Sequence, residues 1–155
     1  MDEKQYVAIS QQHMASFFRT AFSLVGNRAD AEDAVQQALL NAWKSREKAR
    51  EGLERAWMMR IVINECYTIL RRRKKCLTVE TLPQAHWQPK EDTGLYDALQ
   101  ALPDGLRTPF LLKYMEGMTE AEVASAMGLP LSSVKNRLFR ARKKLRVWLK
   151  EEVEL

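Results

Sequence analysis

A chain of 155 residues has room for one ordinary domain or two small helical ones. With 46% hydrophobic and 29% charged residues it is globular rather than disordered, and only 6 Gly and 5 Pro favour long helices over many-turned sheets. The formal charge of +5 suits a polyanionic partner without selecting one.

From Tyr6, apolar residues recur at Ile9, Met14, Phe17, Phe18, Ala21, Leu24 and Val25, which predicts a helix with a buried stripe. Gly26-Asn27 breaks it. Asp30-Ala31-Glu32-Asp33 then opens a second helix, where acids complement the dipole. Its apolar face is read as Ala31, Val35, Ala38, Leu39, Ala42 and Trp43. The polar stretch Ser45 to Gly52 reads as a loop, and a third helix runs from about Leu53 to Lys75. Between Cys76 and Asp92 the helical period fails around Pro83 and Pro89, which predicts an interdomain linker. A helix resumes at Leu95, Ala98, Leu99 and Leu102. Asp104 or Thr108 can open the next, with Pro109 acceptable only near its start. Phe110, Leu111, Tyr114 and Met115 supply its apolar faces, and Gly117 ends it.

Thr119 and Glu122 have capping-box spacing ahead of a short helix carrying Val123, Ala124 and Met127. Gly128 supplies the positive φ of a tight corner, Leu129-Pro130 leads out, and Ser132 or Ser133 caps the last helix. Ala124, Gly128 and Val134 are spaced for two helices packed across a short turn, so this segment predicts a helix-turn-helix. In the last helix Leu131, Val134, Leu138, Ala141, Leu145 and Leu149 step by three or four and face a core. Lys135, Asn136, Phe139, Arg140 and Lys143 lie on the other side. Asn and Arg can read adenine and guanine edges in the major groove, and Phe139 can meet a thymine methyl. Ser132, Ser133, Arg137 and Arg142 are better placed for phosphate. From Lys135 to Lys150 there are eight Lys or Arg and no acid. A solvated basic face would explain that run alone; the capping box, corner glycine and Ala/Val joint together favour DNA binding.

The third helix carries a second candidate surface. Met58, Val62, Cys66 and Ile69 form a buried stripe, while Arg60, Asn64, Tyr67 and Arg71 step along another face. Cations, an amide and an aromatic ring can grip phosphates and receive an unstacked base. Arg71, Arg72, Arg73, Lys74 and Lys75 extend the charge past the helix end. Taken alone, this pattern leaves open a plain solvated surface with a basic tail. On the second helix Asp33, Gln36 and Gln37 lie side by side with Asn41 a turn on; an acid and amides suit a protein partner, and a solvated face is the commoner outcome of such a pattern.

These motifs, in this order, resemble those of the extracytoplasmic-function sigma factors, small initiation subunits of bacterial RNA polymerase within the sigma-70 family. Asp30-Ala31-Glu32-Asp33-Ala34-Val35-Gln36-Gln37-Ala38 resembles the polymerase-binding helix. Trp57-Met58-Met59-Arg60-Ile61-Val62-Ile63-Asn64 through the basic run resembles the −10 reading region. Leu102-Pro103, Arg107 to Leu112 and Glu116 to Thr119 resemble the start of the C-terminal domain, and Ser133 to Arg142 the −35 reading helix. The resemblance implies an all-α chain of two small helical domains joined by a flexible linker: 1–75 for polymerase binding and −10 recognition, 76–92 as linker, and 93–155 as a helix-turn-helix domain for −35 recognition. Carried over, Asp33, Gln36, Gln37 and Asn41 meet the polymerase core. Arg60, Asn64, Tyr67, Arg71 and Arg72 serve the −10 element, with the Ser45–Leu53 loop helping Asn64 hold a flipped base. Lys135, Asn136, Phe139, Arg140 and their neighbours serve the −35 element. An anti-sigma factor is an implied further partner. Gln37 stands where the family usually has Glu, Leu39 where an aromatic is common, and Asn136 where Ser is frequent.

Rival readings find less support. A stand-alone helix-turn-helix regulator would normally dimerise; nothing here reads as a dimer helix, so a free monomer is expected. An enzyme is not expected either. His13 and His86 lack metal spacing, no carboxylates are paired across a cleft, and no Gly-rich phosphate loop is present. No cofactor or metal is therefore expected. Cys66 and Cys76 lack CxxC spacing, the start lacks a signal-peptide pattern, and no stretch approaches the roughly 18 apolar residues of a membrane span, so a cytoplasmic protein is expected.

Overall fold

The computed structural model describes residues 1–76 and 94–153. Every regular element among them is helical: α1 (Glu3–Val25), α2 (Arg28–Lys44), α3 (Glu54–Cys76), α4 (Gly94–Ala101), α5 (Asp104–Tyr114), α6 (Glu120–Met127) and α7 (Leu131–Val153). The chain divides into two compact units, one holding α1, α2 and α3, the other α4, α5, the first part of α6, and α7. The expected linker falls, but for its first residue, outside the described residues, as does His86.

The first unit is a three-helix bundle whose corners are set by local hydrogen bonds. Asp2 caps α1 by accepting from Gln5 N (2.8 Å), and the Gln5 side chain accepts from Asp2 N (2.9 Å). The helix ends at Gly26 in the left-handed conformation, φ 81°. Asn27, rather than the acids after it, opens α2: its Oδ1 accepts from Asp30 N at 2.9 Å. Five α2 alanines or valines (Ala31, Ala34, Val35, Ala38 and Ala42) are buried, and such small side chains allow close helix approach. They meet Phe17, Ala21 and Val25 of α1 and a broad α3 face: Met58, Met59, Val62, Ile63 and Cys66. That face is wider than the predicted stripe because α3 packs against both α1 and α2; Met59 and Ile63 belong to it, and Ile69 is only half-buried.

Five expected core residues of α1 and α2 are not fully buried. Ile9, Phe18 and Leu39 are half-buried, Met14 is 39% exposed, and Trp43 is 37% exposed. The Trp43 ring is covered differently, by the edge of Tyr6 (centroids 5.1 Å apart) and the Arg46 guanidinium 3.9 Å from its centroid.

Arg73 ties the bundle at the α1–α2 corner. Its Nη1 donates to Val25 O at 2.9 Å and its Nη2 to the Asp30 carboxylate. The Asn27 side chain and then Arg73 hold the Asp30 carboxyl below its ordinary range, against partial burial that pushes it up. A carboxyl depressed in the folded state contributes stability above its unfolded pKa, and that contribution is lost as pH falls through the folded value. Urea midpoints are therefore expected to drop on acidification through the carboxylate range, with a shallower slope in Asp30→Asn. Identical slopes for both proteins would deny the clamp a linked proton.

In the second unit Ala98, Leu99, Leu102, Leu106, Ala141 and Leu145 form the core, with Phe110 and Leu111 against it. Leu95, placed on this face by its period, is 45% exposed. Asp104, not Thr108, begins α5, where Pro103 O accepts from Leu106 N (2.9 Å) and Arg107 N (2.8 Å). Pro109 consequently stands inside the helix and not near its start. Tyr114 and Met115 turn outward (46% and 61% exposed), while Leu112 is fully buried.

The capping box at α6 forms in both directions, Glu122 N to Thr119 Oγ1 and Thr119 N to Glu122 Oε1, each 3.1 Å. Gly128 takes φ 65°, which an L side chain rarely adopts, and makes the corner. The serine caps expected for α7 do not form. Pro130 O already accepts from Ser133 N (3.0 Å) and Val134 N (3.2 Å), so both serines lie within the first turn. Leu131, at that exposed start, is 42% accessible instead of buried.

Candidate nucleic-acid interface

Helix α7 separates its faces sharply. Val134, Leu138 and Ala141 are fully buried, while Phe139 is 60% exposed. Lys135, Asn136, Arg140 and Lys143 share its exposed side. An unsupported phenyl ring among cations and an amide offers base-edge hydrogen bonding and a methyl contact together. Ser132 is exposed and Ser133 half-buried.

Two cations predicted to hold phosphate are engaged inside the unit. Arg137 Nη1 donates to Gly105 O at 3.0 Å, and Arg142 Nη1 to Tyr114 Oη at 2.8 Å. Nor is α7 free of acids in space. Glu120, at the start of α6, pairs with Lys113 Nζ at 2.6 Å. The Lys113 hydrogen bond holds its carboxyl below the usual range, and the charges of Lys135 and Arg142 add to this.

On α3, Arg60, Asn64, Arg71 and Arg72 are exposed and Tyr67 is half-buried. The basic run sits in the last turns of the helix, not beyond it, because α3 continues to Cys76. Cations there complement the helix dipole. Within the run, Arg73 is the corner clamp, and Arg71, Arg72, Lys74 and Lys75 are its exposed charges, with Arg71 Nη2 resting on Thr68 Oγ1 at 3.2 Å. Cys66 is buried, and burial with the neighbouring Glu65 charge pushes its thiol up to about 12, far from a reactive thiolate.

The loop before α3 is more structured than its polar composition suggests. It holds a 3-10 turn, Arg46–Lys48. Arg46 stacks on Trp43 and donates to Trp43 O at 2.8 Å, and the Met1 ammonium donates to Arg46 O at 3.1 Å.

Asp33, Gln36 and Gln37 are exposed on α2 as expected. Asn41 is drawn inward: it accepts from Gln37 Nε2 (3.1 Å) and donates to Glu65 Oε1 on α3 (2.8 Å). Leu40, 56% exposed, joins this face instead. Leu40 stands on neither face as read from the sequence; its position seven residues after Asp33, two turns along the same face, is the available signal.

The sigma-70 region 2 family profile fits residues 9–76, and the sigma-70 region 4 profile residues 93–145. The chain is 34% identical to the RNA polymerase sigma factor SigV of Bacillus subtilis over 146 residues, covering 90% of this chain and 88% of that one. It belongs to the sigma-70 family. The ECF RNA polymerase sigma factor SigL of Mycobacterium tuberculosis is 29% identical over 157 residues, 93% of this chain and 88% of SigL. The sigma factor RpoE of Bartonella quintana, solved with the anti-sigma factor NepR, superposes with a TM-score of 0.75 at 25% identity, covering 95% of this chain and 98% of RpoE.

The protein is therefore an extracytoplasmic-function type, alternative sigma factor that engages RNA polymerase core and promoter DNA to direct transcription initiation. A stand-alone regulator is not favoured, because the match spans both helical units and not the helix-turn-helix alone. No helix among the described residues is long and apolar enough to cross a membrane.

Proposed function

We propose that this sigma factor reads promoters in two parts and performs no covalent chemistry of its own. Residues 93–155 read the −35 element through Lys135, Asn136, Phe139 and Arg140, with Ser132, Ser133 and Lys143 on flanking phosphates. Residues 1–75 bind polymerase through Asp33, Gln36, Gln37 and Leu40, and hold the −10 element through Arg60, Asn64, Tyr67, Arg71 and Arg72. The loop from Ser45 to Leu53 closes over a base extruded toward Asn64. The observation that carries this reading is the pairing of exposed Phe139 and Arg140 with the fully buried Leu138 on one helix. Gln37 makes an uncharged contact where the family's usual Glu would carry charge.

Each unit alone binds DNA weakly. Held together on polymerase, they gain from effective concentration, and overall affinity falls steeply with salt. Because RpoE was solved with an anti-sigma factor, an anti-sigma partner is part of this reading.

Run-off transcription with purified core polymerase tests it. Addition of the chain is expected to produce defined start sites that share a −35 and a −10 motif. Core polymerase that initiates identically with and without the chain would sink the proposal.

A further inference from the structure

Pro109 lies within α5, five residues after its first residue. A proline has no N–H, so the carbonyl four residues earlier loses its helical donor and is crowded by the ring. That carbonyl belongs to Gly105, and it receives Nη1 of Arg137 at 3.0 Å. Gly105 is also what permits the approach: a Cβ there would lie 2.8 Å from the same Nη1. Arg137 is half-buried in this contact, whereas Lys135, Asn136, Phe139 and Arg140 around it are exposed. Pro109 withholds a donor, Gly105 opens the path, and Arg137 supplies a charged donor, the stronger kind.

We propose that Arg137 is a positioning residue for −35 recognition: it fixes α7 against α5 through the Gly105 carbonyl and does not hold a DNA phosphate. Base contacts need placement within about 0.5 Å and 10–20°. The residues that read bases flank Arg137 on the same two turns, so a small rotation of α7 would misplace them together. This inference rests on α7 being the −35 reader.

The test is a mutant cycle in the full chain bound to core polymerase, with Arg137→Ala, Pro109→Ala and the double variant. Affinity for a −35 duplex is measured over a range of salt, well below the melting temperature. Arg137→Ala is expected to lose about tenfold, the order for a hydrogen bond to a charged group. The slope of log affinity against log salt should stay at the parent value, since a lost phosphate contact would lower it by about 0.9. Pro109→Ala returns an N–H to Gly105 O but no link to α7, so the double variant should recover stability and keep the affinity loss. A slope lower by about 0.9, or affinity restored in the double variant, overturns the proposal.

The same cycle read by melting temperature needs no DNA. Arg137→Ala should lower Tm in the parent chain and much less in the Pro109→Ala background; equal shifts overturn the proposed contact. If the parent chain prefers no −35 sequence, the assignment of α7 fails, while the melting cycle still decides the Arg137 contact.

Discussion

Leu138→Ala and Arg140→Ala, two residues apart on α7, are expected to fail in opposite ways. Leu138 is fully buried, and truncating such a leucine costs about 2–5 kcal/mol through lost transfer energy and the cavity left behind. Small domains have only about 5–15 kcal/mol in all, so the second unit should melt many degrees lower and lose every promoter alike. Arg140 is exposed, so Arg140→Ala should leave melting unchanged. If it reads a base edge, discrimination at one −35 position should relax by about 1–3 kcal/mol, roughly five- to 150-fold. Competition binding against single-base variants of the −35 duplex, beside thermal melts, separates the two. Equal loss on every sequence in Arg140→Ala would reduce it to a phosphate contact.

That contrast was legible in the sequence because it depends only on helical period. Positions 138 and 140 lie about 200° apart around a helix, whatever the partner helix is. The all-α class, the corner at Gly128 and the Thr119–Glu122 box were legible for a similar reason: each is a pattern closed within a few residues. The family was legible because several such patterns stand in one order. What escaped was set by residues distant in sequence. Arg137 looks like its basic neighbours until Gly105 O is placed beside it. Asn41 looks like Gln36 and Gln37 until Glu65 on α3 takes its amide. Trp43 was counted as core because a large apolar ring normally is. Its covering consists of Tyr6 and Arg46, a ring and a cation that no stripe of apolar residues announces. The width of the α3 core face likewise depends on two packing partners, which one helix's periodicity cannot supply.

Asn64→Ala is expected to separate promoter opening from promoter binding. The residue is exposed on α3. Its main-chain carbonyl accepts from Thr68 Oγ1 at 3.0 Å, a bond that does not occupy the side-chain amide. The helix should therefore survive the change with its melting temperature intact. Extruding a base from the stack costs a few kcal/mol, which in the proposed reading contacts at Asn64 offset. Removing the amide leaves the surrounding cations, so closed-complex affinity and its salt dependence should hold. Stable opening should fall by about 1–3 kcal/mol, the cost of leaving a desolvated base edge unpaired, or roughly five- to 150-fold. Permanganate reactivity of thymines near the start site reads opening directly, and a gel shift at low temperature reads the closed complex. Full permanganate reactivity in Asn64→Ala would refute the flipped-base pocket. Loss of both signals together would instead make Asn64 part of general DNA affinity. The Arg72→Ala protein provides the opposite pattern for comparison: a weaker closed complex, a lower salt slope, and normal opening once saturated.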